Sequence, residues 1–255
     1  MEVLVVGNTA YVDDDFCAKA FPGDHVQVVA AGDARRDESS PHASWKELLQ
    51  HLDQAYEFDR VVYLSNYLTP HTDTVGEIEL LRSVFRTCAG RRVQLLYVAG
   101  PAGAEGAADA AGRTGKGIIA HAANDLCRYY AAREGVQTKI LRVPFLYTAS
   151  AALEDPFLVP MFDACSTGSA ALQGAQDAAF PLLCAEELSV LVRRIFDSWD
   201  GNFETLDVAD TFHHTVGEVG EALQALFPGL SVAYGDSAGY ALPASDVARV
   251  RYGWF

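Results

Sequence analysis

From Val3 to Arg142 this chain alternates short apolar runs with longer helical segments, and that alternation narrows its fold more than any other feature. Val3 to Val6 is an apolar run ending in Gly7. His25 to Ala30 reads as a second strand, Arg60 to Leu64 as a third, Arg92 to Val98 as a fourth and Gln137 to Arg142 as a fifth. Runs of this length, bounded by turn residues, predict buried parallel strands. Between them, Asp13-Asp14-Asp15 opens a helical stretch through Ala20, and Thr74 to Cys88 is amphipathic. Ser44 and Glu47 form a capping box for a helix to about Tyr56, and Ile118 to Glu134 is a long helix stopped by Gly135. Strand and helix in this order mean a doubly wound parallel sheet with right-handed crossovers, covered on both faces. Beyond Phe145 the pattern loosens, with helices over Ser189 to Trp199 and Val216 to Phe227 and a strand over Glu204 to Val208.

The chain's 255 residues, half of them hydrophobic, are enough for one large α/β domain or a domain with a lobe. No apolar run approaches the roughly 20 residues that span a bilayer. The opening Met-Glu-Val-Leu-Val-Val-Gly has no basic leader region and reads as a strand, not a signal peptide. A formal charge of −15, with 34 acids against 19 Lys and Arg, repels nucleic-acid backbones and anionic membranes, so neither is expected as a partner. Five cysteines without a Cys-x-x-Cys or a His at ligand spacing predict reduced, mostly buried thiols, no metal site and a cytoplasmic protein. His213-His214 reads as a helix entry.

Several segments resemble the extended short-chain dehydrogenase/reductase family, the NAD-dependent epimerases and dehydratases. Asp59 to Ser65 is similar to that family's D-x-V-x-H-L-A strand. Asp73 to Leu81 is similar to its N-V-x-G-T-x-N-L-L helix, and Ala131 to Tyr147 to the helix end and I-L-R-x-x-x-x-Y that close its Rossmann half. Asp246 to Trp254 is similar to its D-x-x-x-A-R-x-x-L-G-W signature. The resemblance covers essentially the whole chain in order. It implies a Rossmann-like sheet over residues 1–147 and a small C-terminal substrate-type lobe over 148–255, with elements returning to the sheet. It also implies NAD or NADP as cofactor and a nucleotide or sugar-nucleotide ligand. The cofactor positions it implies are Gly7, Asn8, Thr9, Ala10, Tyr11, Val12, Asp33, Leu64, Ser65 and Asn66. A homodimer through the 74–88 and 116–134 helices is a further family trait, and the end at Phe255 is expected of either a piece of a longer polypeptide or a short member of the family.

Several things the resemblance requires are missing. The family's first turn reads G-x-x-G-x-x-G, whose glycines let the backbone approach a pyrophosphate at a helix N-terminus. Here the second glycine is Ala10 and the third Asp13. At about 5 Å from a phosphate and an effective dielectric near 20, a carboxylate repels by roughly 3 kcal/mol, about a hundredfold in affinity. If Asp13 only caps the helix and faces solvent, weak NAD(P) binding survives. If it takes the anion's place, binding is lost.

The family's Ser/Thr should follow the fourth strand, yet that strand ends Ala99-Gly100. No serine occurs between Ser83 and Ser150, and no tyrosine between Tyr97 and Tyr129. The Tyr-x-x-x-Lys pair, which puts a phenol and its activating ammonium on one helix face, falls on Lys116 and Ala120. No catalytic residue is therefore assigned. Tyr67 and His71, or Lys116 and His121 near the Lys place, are the candidate substitutes. Arg35-Arg36 would suit a 2′-phosphate, Asp33 or Asp37 a ribose. Three functions remain: a non-catalytic sensing, regulatory or scaffolding module; an active NAD(P)-dependent epimerase, dehydratase or reductase with relocated groups; and a purely structural interaction module.

Overall fold

The computed structural model describes residues 1–7, 10–30, 57–65, 74–100, 115–148, 158–172, 174–208, 214–236 and 247–253. Their strands are β1 (Glu2–Gly7), β2 (His25–Ala30), β3 (Arg60–Leu64), β4 (Gln94–Ala99), β5 (Gln137–Arg142), β6 (Phe145–Tyr147), β7 (Ser169–Leu172), β8 (Leu182–Cys184), β9 (Phe203–Asp207) and β10 (Ser231–Tyr234). Their helices are α1 (Asp14–Ala20), α2 (Thr74–Cys88), α3 (Gly115–Arg133), α4 (Leu158–Ser166), α5 (Ala185–Asp197), α6 (Val216–Leu226) and α7 (Val247–Tyr252).

Six strands form one parallel sheet in the order β2-β1-β3-β4-β5-β9, a Rossmann-like arrangement. From β1 the chain first builds outward to β2, then resumes on the other side of β1 with β3. In open α/β sheets such a reversal opens a crevice beyond the carboxyl ends of the strands, where ligands bind.

The two-residue period of the strands sorts their side chains to opposite faces. Val3, Val5, Val62, Leu64, Leu96, Val98 and Leu141 meet Phe16 and Ala20 of α1 and the apolar stripe of α5, Leu188, Leu191, Val192, Ile195 and Phe196. Leu4, Val6, Val61, Tyr63, Leu95, Tyr97 and Ile140 meet α2 and α3 through Leu80, Leu81, Val84, Phe85, Ala123, Cys127 and Tyr130. Each fully buried aliphatic side chain contributes about 1.5–3 kcal/mol of transfer free energy, so these two layers hold the sheet.

Most predicted elements form where the periodicity places them, with shifts at their ends. Strand β4 starts at Gln94, two residues after the predicted Arg92, because Arg92 is exposed after the Gly90 turn and the ladder begins with Gln94 N–H donating to Asp59 O at 3.0 Å. Helix α3 starts at Gly115, three residues before Ile118. It ends at Arg133, one residue before the predicted Glu134, and Gly135, with a φ of 71°, turns the chain so that Val136 N–H reaches Tyr130 O at 3.3 Å. Helix α5 starts four residues before the predicted Ser189, entered directly from β8. The predicted helix over 44–56 lies outside the described residues.

The C-terminal half contributes to both layers and adds its own. Strand β9 returns to the main sheet beside β5. Parallel pairs β6–β8 and β7–β10 carry a separate small core with Cys165, Leu172, Phe180, Val216, Leu223 and Leu230. Thr215 and Glu218 cap α6 reciprocally.

Helix α7 docks on the sheet edge largely through charge. Lys139 of β5, 1% exposed, hydrogen-bonds Asp200 at 3.0 Å, Glu204 at 2.6 Å and the Tyr252 hydroxyl at 3.3 Å, and lies over the Trp199 ring. Arg251 pairs with the same two carboxylates, while Arg194 donates to the carbonyl oxygens of Tyr252 and Gly253 at the end of α7. Among the described residues no helix is long and apolar enough to cross a membrane, and all five cysteines are free thiols.

Candidate functional site

The crevice predicted by the topology is bounded by the carboxyl ends of β1, β3 and β4. Gly7 ends β1 opposite Leu64 of β3. Its φ of 109° suits glycine alone, and a Cβ added there would lie 2.1 Å from Leu64 O. Gly7 is thus retained because β1 and β3 approach too closely for any side chain.

Beyond Gly7 the chain turns through Ala10, which is half-buried, to Tyr11, which is 2% exposed and packs into the α1–α5 layer. Val12 is half-buried. Asp13 then caps α1: its Oδ1 accepts from Phe16 N–H at 2.8 Å, and its backbone is extended, with φ −118° and ψ −177°. The carboxylate therefore occupies one of the unpaired backbone donors of this helix start. Asp14 and Asp15 follow in the first turn, exposed, with Asp15 paired to Lys19. The concentration of negative charge is felt nearby. Burial first, then Asp14 and Asp13, holds the Cys17 thiol above its ordinary pKa.

A pocket opens from this crevice, lined by Tyr11, Leu64, Ser65, Val98, Ala99, Gly100, Val143 and Leu146. It brings together Tyr11, Leu64 and Ser65 from the predicted cofactor positions, and Gly100 from the degenerate catalytic ones. Where the resemblance requires a hydroxyl after β4, the lining holds the methyl of Ala99 and the bare backbone of Gly100. Ala120 lies in the second turn of α3, half-buried, and the neighbouring His121 is exposed. Lys116 lies in the first turn. Asn8, Thr9, Asp33, Arg35, Arg36, Asp37, Asn66, Tyr67 and His71 lie outside the described residues.

Among the described lining residues, Ser65 brings the one polar side chain other than the Tyr11 phenol, and it leads to a buried network that sequence reading missed. Ser65 is 5% exposed; its N–H donates to Val98 O at 3.0 Å, and its side chain hydrogen-bonds the Tyr97 phenol. Tyr97 stacks on Tyr63 with centroids 5.5 Å apart. The Tyr63 hydroxyl reaches Glu77, donating to its main-chain oxygen at 3.3 Å, and Glu77 itself is only 2% exposed. Burial, and then the Glu77 carboxylate, holds both phenols well above the ordinary tyrosine range. Both therefore remain protonated hydrogen-bonding groups at neutral pH. A signal existed in the sequence: Glu77 lies three, four and seven residues before Leu80, Leu81 and Val84, on the buried stripe of α2.

Charge of the opposite sign is spoken for nearby. Arg142, beside Val143 at the end of β5, makes a two-pronged pair with Asp207 of β9, Nε–Oδ1 and Nη2–Oδ2 both 2.7 Å. Among the described residues no group of three His, Cys, Asp or Glu side chains is arranged to hold a metal ion.

No protein-family model matches the sequence, and no curated protein matches it significantly. Solved structures do match its fold. The dTDP-glucose 4,6-dehydratase of Streptomyces venezuelae, solved with NAD and TYD bound, is similar with a TM-score of 0.73 over 100% of this chain and 92% of its own, at 15% identity. A UDP-galactose 4-epimerase matches at 0.72, covering 100% and 93%, also at 15% identity. The Thermus thermophilus UDP-glucose 4-epimerase, solved with NAD, matches at 0.67, covering 100% and 94%, again at 15%. At such identity the likeness establishes a fold shared with these epimerases and this dehydratase, and neither a family nor an activity.

Proposed function

We propose that this chain is a Rossmann-fold module without redox catalysis, acting in ligand sensing, regulation or scaffolding. The observation that carries this reading is the Asp13 cap. Its carboxylate takes up the α1 donor that the first turn of such folds offers to a pyrophosphate. Ala99 and Gly100 support it, since the pocket wall after β4 holds no hydroxyl to polarise a substrate. The fit to a bound dinucleotide is poor among the described residues, so no reaction step is assigned to one.

The test is thermal unfolding with NAD, NADH, NADP and NADPH, each at millimolar concentration. A ligand at a hundred times its Kd adds about 2.7 kcal/mol to stability. The expected result is no shift for the wild type and a shift for Asp13→Gly, which removes the charge at a cost of a few tenths of a kcal/mol to the cap. Hydride transfer on a sugar nucleotide by the wild-type chain would overturn the reading in favour of an active oxidoreductase with relocated groups.

A further inference from the structure

We propose that α7 is a salt-sensitive latch, which undocks from the sheet and redocks as a unit while the rest of the sheet stays folded. Lys139 is the third residue of β5 and Asp200 precedes β9, so the fastening lies toward the amino ends of these strands. The crevice lies at the carboxyl ends of β1, β3 and β4, and the latch works whatever the crevice binds.

Three features of α7 set this behaviour. The first is its size. Its six residues fall well short of the roughly 12–15 at which an isolated helix becomes even marginally stable in water, so α7 is helical because it is docked. Ala248 and Tyr252, 0% and 7% exposed, enter the core layer that also holds Ile195 of α5 and Leu206 of β9. Val247 and Val250 are 43% and 81% exposed and add little to that burial.

The second is the way two carboxylates are shared. Asp200 gives Oδ1 to Lys139 at 3.0 Å and Oδ2 to Arg251, while Glu204 gives Oε2 to Lys139 at 2.6 Å and Oε1 to Arg251. Each carboxylate therefore has one oxygen bound to the sheet and the other to α7. When α7 leaves, both keep Lys139 and their freed oxygens meet water, so neither is left unpaired. Lys139 gives up the Tyr252 hydroxyl at 3.3 Å, the longest of its three bonds. The third is the exposure of the fastening. Asp200, Arg251 and Glu204 are 59%, 36% and 26% exposed, and pairs so placed are weakened by salt. Arg194, exposed in turn, donates to the carbonyl oxygen of Tyr252 at 2.9 Å and to that of Gly253, and both ends of these bonds hydrate on opening. The two core layers of the sheet rest on buried aliphatic side chains, whose contribution is not Coulombic.

Hydrogen exchange read by mass spectrometry on the full chain measures the opening, with residues 247–253 compared with β5. Between 0.01 M and 1 M NaCl the screening length falls from roughly 30 Å to roughly 3 Å. At low salt α7 is expected to exchange at least about tenfold faster than β5, yet more slowly than a free peptide of its own sequence. High salt is expected to quicken α7 about fivefold more than β5. Arg251→Gln should produce a similar quickening at low salt and remove most of the salt dependence, whereas Arg251→Lys, which keeps the charge, should retain it. A second readout is alkylation of Ala248→Cys, a position 0% exposed when docked, whose thiol reacts only through opening and with the same salt dependence. Exchange of 247–253 no faster than that of β5 overturns the proposal, because α7 then opens only with the whole sheet. Exchange as fast as the free peptide at low salt also overturns it, since α7 is then not docked. So does a wild-type salt effect within about twofold of that on β5, or an Arg251→Gln variant that keeps the full salt dependence.

Discussion

Replacing Lys139 by Met tests how the C-terminal helix is held to the sheet. The side chain is 1% exposed and makes three hydrogen bonds, to Glu204, Asp200 and the Tyr252 hydroxyl. Methionine keeps most of its length and its contact with Trp199 while deleting the charge. Removing one partner of a fully buried ion pair costs about 3–5 kcal/mol, because the survivor is left unpaired. Here the survivors are better placed. Glu204 and Asp200 are 26% and 59% exposed and both keep Arg251. The expected loss is therefore about 2 kcal/mol, near the range for hydrogen bonds to a charged group.

Urea unfolding followed by circular dichroism should show it as a midpoint lowered by about 0.7 M at an m-value near 3 kcal/mol/M. Replacing both Lys139 and Glu204 by Met should recover more than half of the loss, since a buried pair exchanged for apolar groups is often neutral. The pH dependence has a definite sign. Burial alone lowers the pKa of the Lys139 ammonium, but its bonds to Glu204, Asp200 and Tyr252 outweigh that and leave it raised. Its stabilisation is therefore fully present below the unfolded value of about 10.4 and is lost as pH rises through the higher folded value. The Asp200 carboxyl is held low by its bonds to Lys139 and Arg251, so its contribution is present above about 3.9 and is lost as pH falls through the lower folded value. A midpoint for Lys139→Met within about 0.2 M of wild type at pH 7 would refute this account. So would a double variant weaker than the sum of its parts.

Two further outcomes follow from the same kind of argument. Gly7→Ala should cost about 3 kcal/mol or more, and on the order of 10 °C in Tm, because the new methyl meets Leu64 O at 2.1 Å and the φ of 109° is strained for alanine; an unchanged Tm would contradict the close β1–β3 approach. The Cys184 thiol, pushed up to about 11 by burial and by its bond to Glu186, should alkylate about a hundredfold more slowly at pH 8 than an ordinary thiol in peptide-resolved mass spectrometry. Glu186→Gln should quicken it, and equal rates in the two proteins would sink the assignment.

What could be read before folding came from local repetition. Apolar runs ending at Gly7 and Leu64 announce β1 and β3, and the Leu80–Leu81–Val84 spacing announces α2, because period and burial are properties of neighbouring residues. The missing hydroxyl at Ala99-Gly100 was legible too, since an absent residue type needs no coordinates. Strands β6, β7, β8 and β10 were not legible. Each has three or four residues and exists only through pairing with a strand distant in sequence. Helix α7 likewise depends on Lys139, Asp200 and Glu204, which lie far from it along the chain.

The site divides in the same way. Sequence alone determined that Asp13 stands where a glycine was expected, and left open whether it faced water or the helix. The tertiary structure brings its Oδ1 to Phe16 N–H, a helix cap. It also decided that Ser65, Tyr97, Tyr63 and Glu77, drawn from two strands and a helix, meet in one buried network beside the pocket. The physical reason is common to both results. Periodicity says which face a residue occupies, while hydrogen bonds and ion pairs between distant segments depend on which faces the fold brings into contact.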